Sequence, residues 1–73
     1  MMIMMIKENQ LELIFDLLRM RSENIKNAVK LVLFDGISQS KAAAMKNCTE
    51  GNLSRALLKI NKVHESIIKN YLV

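Results

Sequence analysis

The fold is decided by residues 39–58, which read QSKAAAMKNCTEGNLSRALL. Two short helical stretches flank a turn in this segment. The small side chain of Ala43 permits a second helix to cross closely over the first, and Asn47 tolerates the left-handed backbone of a tight turn. This spacing predicts a helix-turn-helix over about residues 38–62.

The apolar positions of the segment fit the same pattern. Leu53 and Ala56 are expected to face inward, and Cys48 is a small apolar residue just after the turn. Lys46 departs from the pattern, because an apolar residue is usual before the turn. Either its aliphatic stem covers apolar surface, or neighbouring Met45 fills the gap.

Apolar residues at helical spacing predict two helices before this segment. The first helix runs from about Glu8 to Arg19. The second begins after the N-cap Ser22 and ends at Asp35-Gly36, where glycine supplies a left-handed residue.

The third and fourth helices begin after further N-cap residues. Ser38 caps the third helix, which ends near Met45. Thr49 caps the fourth, a long helix in which apolar residues recur as far as Tyr71, with a break near His64 left open. The prediction is therefore a small, all-α, four-helix domain.

Length and composition restrict the number of domains and the kinds of site that the chain can have. A chain of 73 residues forms one domain, residues 1–73, with a modest core, so a homodimer or higher homo-oligomer is expected. One Cys and one His exclude an internal disulfide and a cysteine-based zinc site. We therefore predict no metal, no cofactor and no small-molecule substrate, in a reducing cytoplasmic setting.

The chain opens with six apolar residues, Met1–Ile6. This run is too short for a membrane span and lacks the basic start and cleavage site of a signal peptide. We interpret it as a start-codon artefact or as a hydrophobic arm that packs on a partner, and we predict no membrane association.

Positive charge is concentrated in the second half of the chain. Residues 1–36 carry five cationic and five anionic side chains, whereas residues 37–73 carry six cationic and two anionic ones. The whole net charge of +4 therefore lies in the second half. A one-sided positive field suits a polyanion such as nucleic acid, although a basic soluble surface has the same composition.

The basic residues of the fourth helix are candidate contacts to DNA. Arg55, Lys59 and Lys62 are spaced i, i+4, i+7 and so form one stripe. Arg55, nearest the helix start, can contact guanine or enter a narrow minor groove, and the two lysines suit phosphates. The choice between major and minor groove stays open. The full candidate set is Ser38, Gln39, Thr49, Glu50, Gly51, Asn52, Arg55, Lys59 and Lys62.

The other members of the set lie at helix starts. Gln39 and Ser38 begin the third helix, whose free N–H groups suit a phosphate. Glu50 can accept from a cytosine amino group or serve only the helix dipole. Gly51 permits close backbone approach or is simply a weak point in the helix, and Thr49 is a DNA contact or purely a cap.

The sequence offers no catalytic constellation. Catalysis needs a nucleophile with a base and an orienting group, or a carboxylate pair in a cleft. Cys48 is better explained as a core residue than as a redox sensor, and His64 as a surface or interface residue than as a ligand. We predict that the protein is not an enzyme.

The segment from Ser22 to Val63 resembles the PapB-type adhesin (fimbrial) biosynthesis regulators. The shared features are the Ser22-Glu23 helix start, the spacing of Ala28 and Lys30, Gly36 and Ser38 before the third helix, and Gly51 followed by Leu53-Ser54. The plasmid-borne KorA/TrfB repressors look similar around Val32–Gly36 and Gln39–Leu57. Lys46 differs from the apolar or aromatic residue of both families.

Both resemblances imply a helix-turn-helix transcription regulator. The first implies a bacterial, cytoplasmic and nucleoid-associated regulator of an adhesin operon that binds A/T-rich DNA as an oligomer. The main alternative is a helical interaction module that binds protein and not DNA, with the first helix and the Leu- and Ile-rich segment 60–73 as its interface. The DNA-binding piece of a recombinase or an antitoxin is a third.

Overall fold

The computed structural model describes residues 6–71, with side chains described as far as Lys69. This part of the chain folds into four α-helices and contains no strand, which confirms the all-α class. The helices are α1 (Glu8–Leu17), α2 (Glu23–Asp35), α3 (Gln39–Met45) and α4 (Glu50–Tyr71).

The three predicted N-caps are confirmed. Each hydroxyl oxygen accepts a hydrogen bond from the backbone N–H three residues later, at 3.3 Å for Ser22, 3.3 Å for Ser38 and 3.1 Å for Thr49. Each bond satisfies one N–H that has no partner inside its helix. Helices α2, α3 and α4 thus begin after capping side chains that can be recognised in the sequence.

Left-handed residues end α2 and complete the turn after α3. Gly36 has φ 68° and its N–H donates to the carbonyl of Leu31, as predicted for a C-terminal glycine. Asn47 has φ 57° and takes the same conformation in the turn between α3 and α4. Asparagine is one of the few side chains that tolerate this region.

The first helix ends earlier than predicted. It stops at Leu17 and not at Arg19, because Leu18 becomes its C-cap and Arg19 turns to φ 55°. The N–H of Met20 then donates to the carbonyl of Phe15 at 2.9 Å. This reversal folds Met20 back against the core, where it is partly buried.

The long helix α4 holds the fold together, since it contacts α1, α2 and α3. Helices α2 and α3 also contact each other. The buried apolar side chains that form the core are Ile6, Leu11, Ile14, Phe15, Ala28, Val29, Ala42, Ala43, Leu53, Ala56, Leu57 and Ile60. The predicted inward positions of the helix-turn-helix pattern are therefore confirmed as buried.

Ile6 contradicts the interpretation of Met1–Ile6 as an artefact or as an arm that packs on a partner. Ile6 is 9% exposed and packs in the core of its own chain. The remainder of that prediction concerns residues 1–5, which lie outside the described residues. The possible break in α4 near His64 is absent, because the helix is continuous from Glu50 to Tyr71.

Candidate nucleic-acid interface

Helices α3 and α4 form two consecutive helices joined by residues 46–49. The turn is closed by backbone hydrogen bonds, including one of 3.0 Å from the N–H of Cys48 to the carbonyl of Ala43. Ala42 and Ala43 are both buried. Short side chains at these positions let the two helices approach closely.

The structure distinguishes between the two alternatives for Lys46, which occupies a position that is usually apolar. Lys46 is half-buried, whereas Met45 is 54% exposed and so does not fill the apolar position. The partial burial of Lys46 agrees with the alternative in which its aliphatic stem covers apolar surface. Cys48 is partly buried against the core, which agrees with its interpretation as a packing residue.

A side-chain hydrogen bond ties the start of α3 to α4. The hydroxyl of Ser54 donates to Oε1 of Gln39 at 2.5 Å, in a partly buried position. Gln39 is a predicted contact residue, but Ser54 is not. Ser54 lies on α4 between the inward-facing Leu53 and the outward-facing Arg55, and Ala56 is the next inward position. Its hydrogen-bond partner is evident only from the packing of the two helices.

At the start of α4, the guanidinium of Arg55 turns back towards the N-terminus of the helix. Its Nη2 donates to Oδ1 of Asn52. A Cβ built on Gly51 would lie 3.9 Å from Nη1 of Arg55, which is an ordinary contact distance. Gly51, Asn52 and Arg55 thus form one exposed patch, and the sequence predicts a shared helix face for Asn52 and Arg55.

The basic stripe runs along the outer face of α4. Arg55, Lys59 and Lys62 are exposed, and the face that carries Leu53 and Ile60 is buried on the opposite side. The stripe also includes Lys69, which the sequence analysis did not select. Lys69 is exposed and lies seven residues after Lys62 on a continuous helix, and this spacing was visible in the sequence.

The two halves of the chain differ in how their charges are paired. Within residues 6–69, the ion pairs are Lys26–Glu23 at 3.6 Å and Lys30–Glu12 at 3.0 Å, both in α1 and α2. Lys26 also lies over the ring of Phe15, 5.7 Å from its centroid. No lysine or arginine of residues 37–69 has an ion-pair partner among the described residues, so the second half keeps its positive charge unneutralised.

The remaining predicted residues keep the positions expected of helix starts. The oxygens of Ser38 and Thr49 are used as caps. Glu50 is exposed in the first turn of α4, where a carboxylate favours the positive end of the helix dipole. The side chain of Gln39 contacts α4 directly. Ser38 precedes Gln39 in the chain and caps α3.

Two kinds of feature are absent from residues 6–71. No helix in this part of the chain combines the length and the apolar character needed to cross a bilayer. No group of three or more His, Cys, Asp or Glu side chains is placed to hold a metal ion there.

The chain matches no model of a protein family, no curated protein and no solved structure. The resemblance to adhesin-biosynthesis regulators and to plasmid repressors therefore stays a prediction from the residues that carry it.

Proposed function

We propose that the protein is a DNA-binding transcription regulator that uses α3 and α4 as a helix-turn-helix. The observation that carries this proposal is the exposed stripe Arg55, Lys59, Lys62 on α4, whose charges have no acidic partner among residues 6–69. A row of unneutralised cations on one helix face attracts a polyanion and releases counterions from DNA when it binds.

The short helix before the stripe supports the same proposal. The bond between Ser54 and Gln39 fixes the first residue of α3 against α4. The amide oxygen of Gln39 is occupied by this bond, so the amide nitrogen is the group that would donate to a phosphate. Two helices would then contact one stretch of duplex, as in helix-turn-helix proteins.

The regulatory target is a proposal that rests on the sequence resemblance. On that basis the protein acts in the bacterial cytoplasm, associated with the nucleoid, on A/T-rich DNA near an adhesin or fimbrial operon. Assembly into a dimer or higher oligomer belongs to the same proposal. It has one structural support, since Leu13 and Leu17 on the outer face of α1 are 56% and 60% exposed.

The test is fluorescence anisotropy with an A/T-rich duplex and a G/C-rich duplex, titrated at several salt concentrations. We expect binding that prefers the A/T-rich duplex and weakens steeply with salt. Arg55→Ala should lower the affinity about 10-fold to 150-fold, as expected for loss of one hydrogen-bonded contact by a charged group, of about 1.5–3 kcal/mol. Lys59→Ala should lower the salt slope by about 1, which is the effect of one lost phosphate contact.

The matched control is Arg21→Ala. Arg21 is an exposed arginine between α1 and α2, outside the basic stripe. Its loss removes the same charge and should change the affinity far less than loss of Arg55. Equal effects of the two variants would show that net charge, and not the stripe, drives binding.

The second candidate is a helical interaction module without DNA binding. The same exposed leucines, Leu13 and Leu17, favour it. Absence of binding to either duplex at low salt, together with affinity for a protein partner, would support this function over the first. A stable monomer in sedimentation at micromolar concentration would argue against both self-assembly and the use of these leucines in it.

A further inference from the structure

One apolar side chain stands within the basic stripe of α4. Leu58 is 58% exposed, although its neighbour Leu57 is buried at 1% exposure. Leu58 lies three residues after Arg55 and four before Lys62, so helical spacing places it beside both cations. A single exposed leucine is common on protein surfaces, and it is this position between cations that calls for an explanation.

The surroundings of Leu58 form a shallow groove along α4. The residues that line it are Arg55, Leu58, Lys59, Asn61, Lys62 and Glu65. The cations Arg55, Lys59 and Lys62 occupy one side. On the other side, Nδ2 of Asn61 donates to Oε1 of Glu65 at 3.1 Å, which ties these two polar side chains to each other. The three cations favour an occupant with negative charge on their side and apolar surface next to Leu58, and the carboxylate of Glu65 lies at the opposite side of the groove.

Double-stranded DNA offers both features. Arg55 and Lys62 are about 10 Å apart along the helix axis, at 1.5 Å per residue, and Leu58 lies between them. Between the phosphates, the apolar group that DNA presents to a protein is the C5-methyl group of thymine, which lies in the major groove.

We propose that Leu58 contacts thymine methyl groups in the major groove and so contributes to a preference for A/T-rich DNA. This inference rests on the proposed DNA-binding function and adds two things to it, a specificity-determining residue and a groove. On this proposal, the preference for particular base pairs comes partly from the apolar contact of Leu58. Lys59 and Lys62 would hold phosphates and would act on every sequence alike.

The experiment compares two duplexes that differ only in the thymine methyl groups. One is an A/T-rich duplex, and the other has deoxyuridine in place of every thymine. Wild-type protein should bind the thymine duplex more tightly by about fourfold for each methyl group that it covers, from the transfer free energy of one buried carbon group. Leu58→Ala should bring the ratio of the two affinities close to one, with an unchanged salt slope.

Leu17→Ala is the matched control. Leu17 is 60% exposed and lies on α1, away from the basic stripe. A role of Leu17 in self-assembly would change both affinities by the same factor, so this variant should keep the wild-type ratio. Circular dichroism of both variants should show an unchanged fold, because neither leucine is buried.

Three results would overturn the inference. Equal binding of both duplexes by wild-type protein would exclude a methyl contact and would leave the DNA-binding proposal intact. A wild-type preference that Leu58→Ala retains would place the methyl contact on another residue. Absence of binding to either duplex at low salt would remove the proposed function together with this inference.

Discussion

The hydroxyl of Ser54 donates to the side-chain oxygen of Gln39 at 2.5 Å, across 15 residues of sequence. Ser54 lies in the second turn of α4, and Gln39 is the first residue of α3. The bond is partly buried, so water competes for it less than at an exposed site. It joins two helices whose buried side chains are short or apolar, among them Ala42, Ala43 and Leu53.

Removal of this bond should affect stability and DNA binding together. Ser54→Ala should lower the free energy of unfolding by about 1 kcal/mol, the usual net value of one hydrogen bond. Gln39→Ala should cost a similar amount, and the double variant should cost less than the sum of the two. Urea unfolding measures these values. Ser66→Ala, an exposed serine on the same helix, should change stability by less than about 0.5 kcal/mol.

A substitution at Gly51 should change stability and DNA binding in opposite directions. Gly51→Ala should raise the free energy of unfolding by about 0.5–1 kcal/mol, because alanine loses less backbone entropy in a helix. The added methyl group meets only Nη1 of Arg55, at 3.9 Å, so no clash offsets the gain. If the start of α4 lies against DNA, the same variant should bind DNA more weakly. A variant that is both more stable and undiminished in anisotropy titrations would show that this helix start does not approach DNA closely.

The two left-handed turn residues should respond in opposite directions. Gly36→Ala places a side chain at φ 68° and should cost about 1–2 kcal/mol of stability. Asn47→Gly removes a side chain at φ 57° and should be neutral or stabilising by up to about 1 kcal/mol. Thermal unfolding of the two variants gives the signs. Destabilisation by Asn47→Gly would mean that the asparagine side chain makes a stabilising contact of its own.

The ion pair between Glu12 and Lys30 joins α1 to α2 at 3.0 Å. Both side chains remain partly exposed, so the pair should contribute less than about 1 kcal/mol. Lys30→Gln should therefore lower stability slightly in dilute buffer, and the difference should shrink in 1 M salt, where the Debye length is about 3 Å.

Lys59→Gln is the counterpart to Lys30→Gln, since it removes the same charge from a lysine without an ion-pair partner among the described residues. It should leave the free energy of unfolding unchanged and weaken DNA binding. The opposite outcome, loss of stability with full DNA affinity, would mean that Lys59 is a structural residue.

The parts of the fold that local chemistry controls could be predicted from the sequence. Ser22, Ser38 and Thr49 start helices because a hydroxyl three residues before a free N–H can cap it. Gly36 ends α2 because it takes a left-handed conformation without strain. The buried spacing of Leu53, Ala56, Leu57 and Ile60 followed from the period of the helix.

Features that depend on packing could not be predicted in this way. The apolar stripe of α1 continues past Leu17, and nothing in the sequence marks the reversal at Arg19, which has an ordinary side chain in a left-handed conformation. Ile6 gave no sign that it would join the core, because one apolar residue before a helix has no period. Within the candidate site, the stripe was predicted from spacing, but the partner of Gln39 depends on how α3 and α4 meet.

The burial pattern of α4 also sets its local opening behaviour. Buried side chains occur as far as Ile60, and none of residues 61–69 is buried, although the helix continues to Tyr71. Amide hydrogens in the first part of α4 should therefore exchange with solvent only when the whole domain unfolds. Those after residue 64 should exchange earlier, through fraying that costs far less than global unfolding. A single helix would thus show two levels of hydrogen-exchange protection, and if the basic stripe binds DNA as proposed, the DNA should slow exchange most around Lys59 and Lys62.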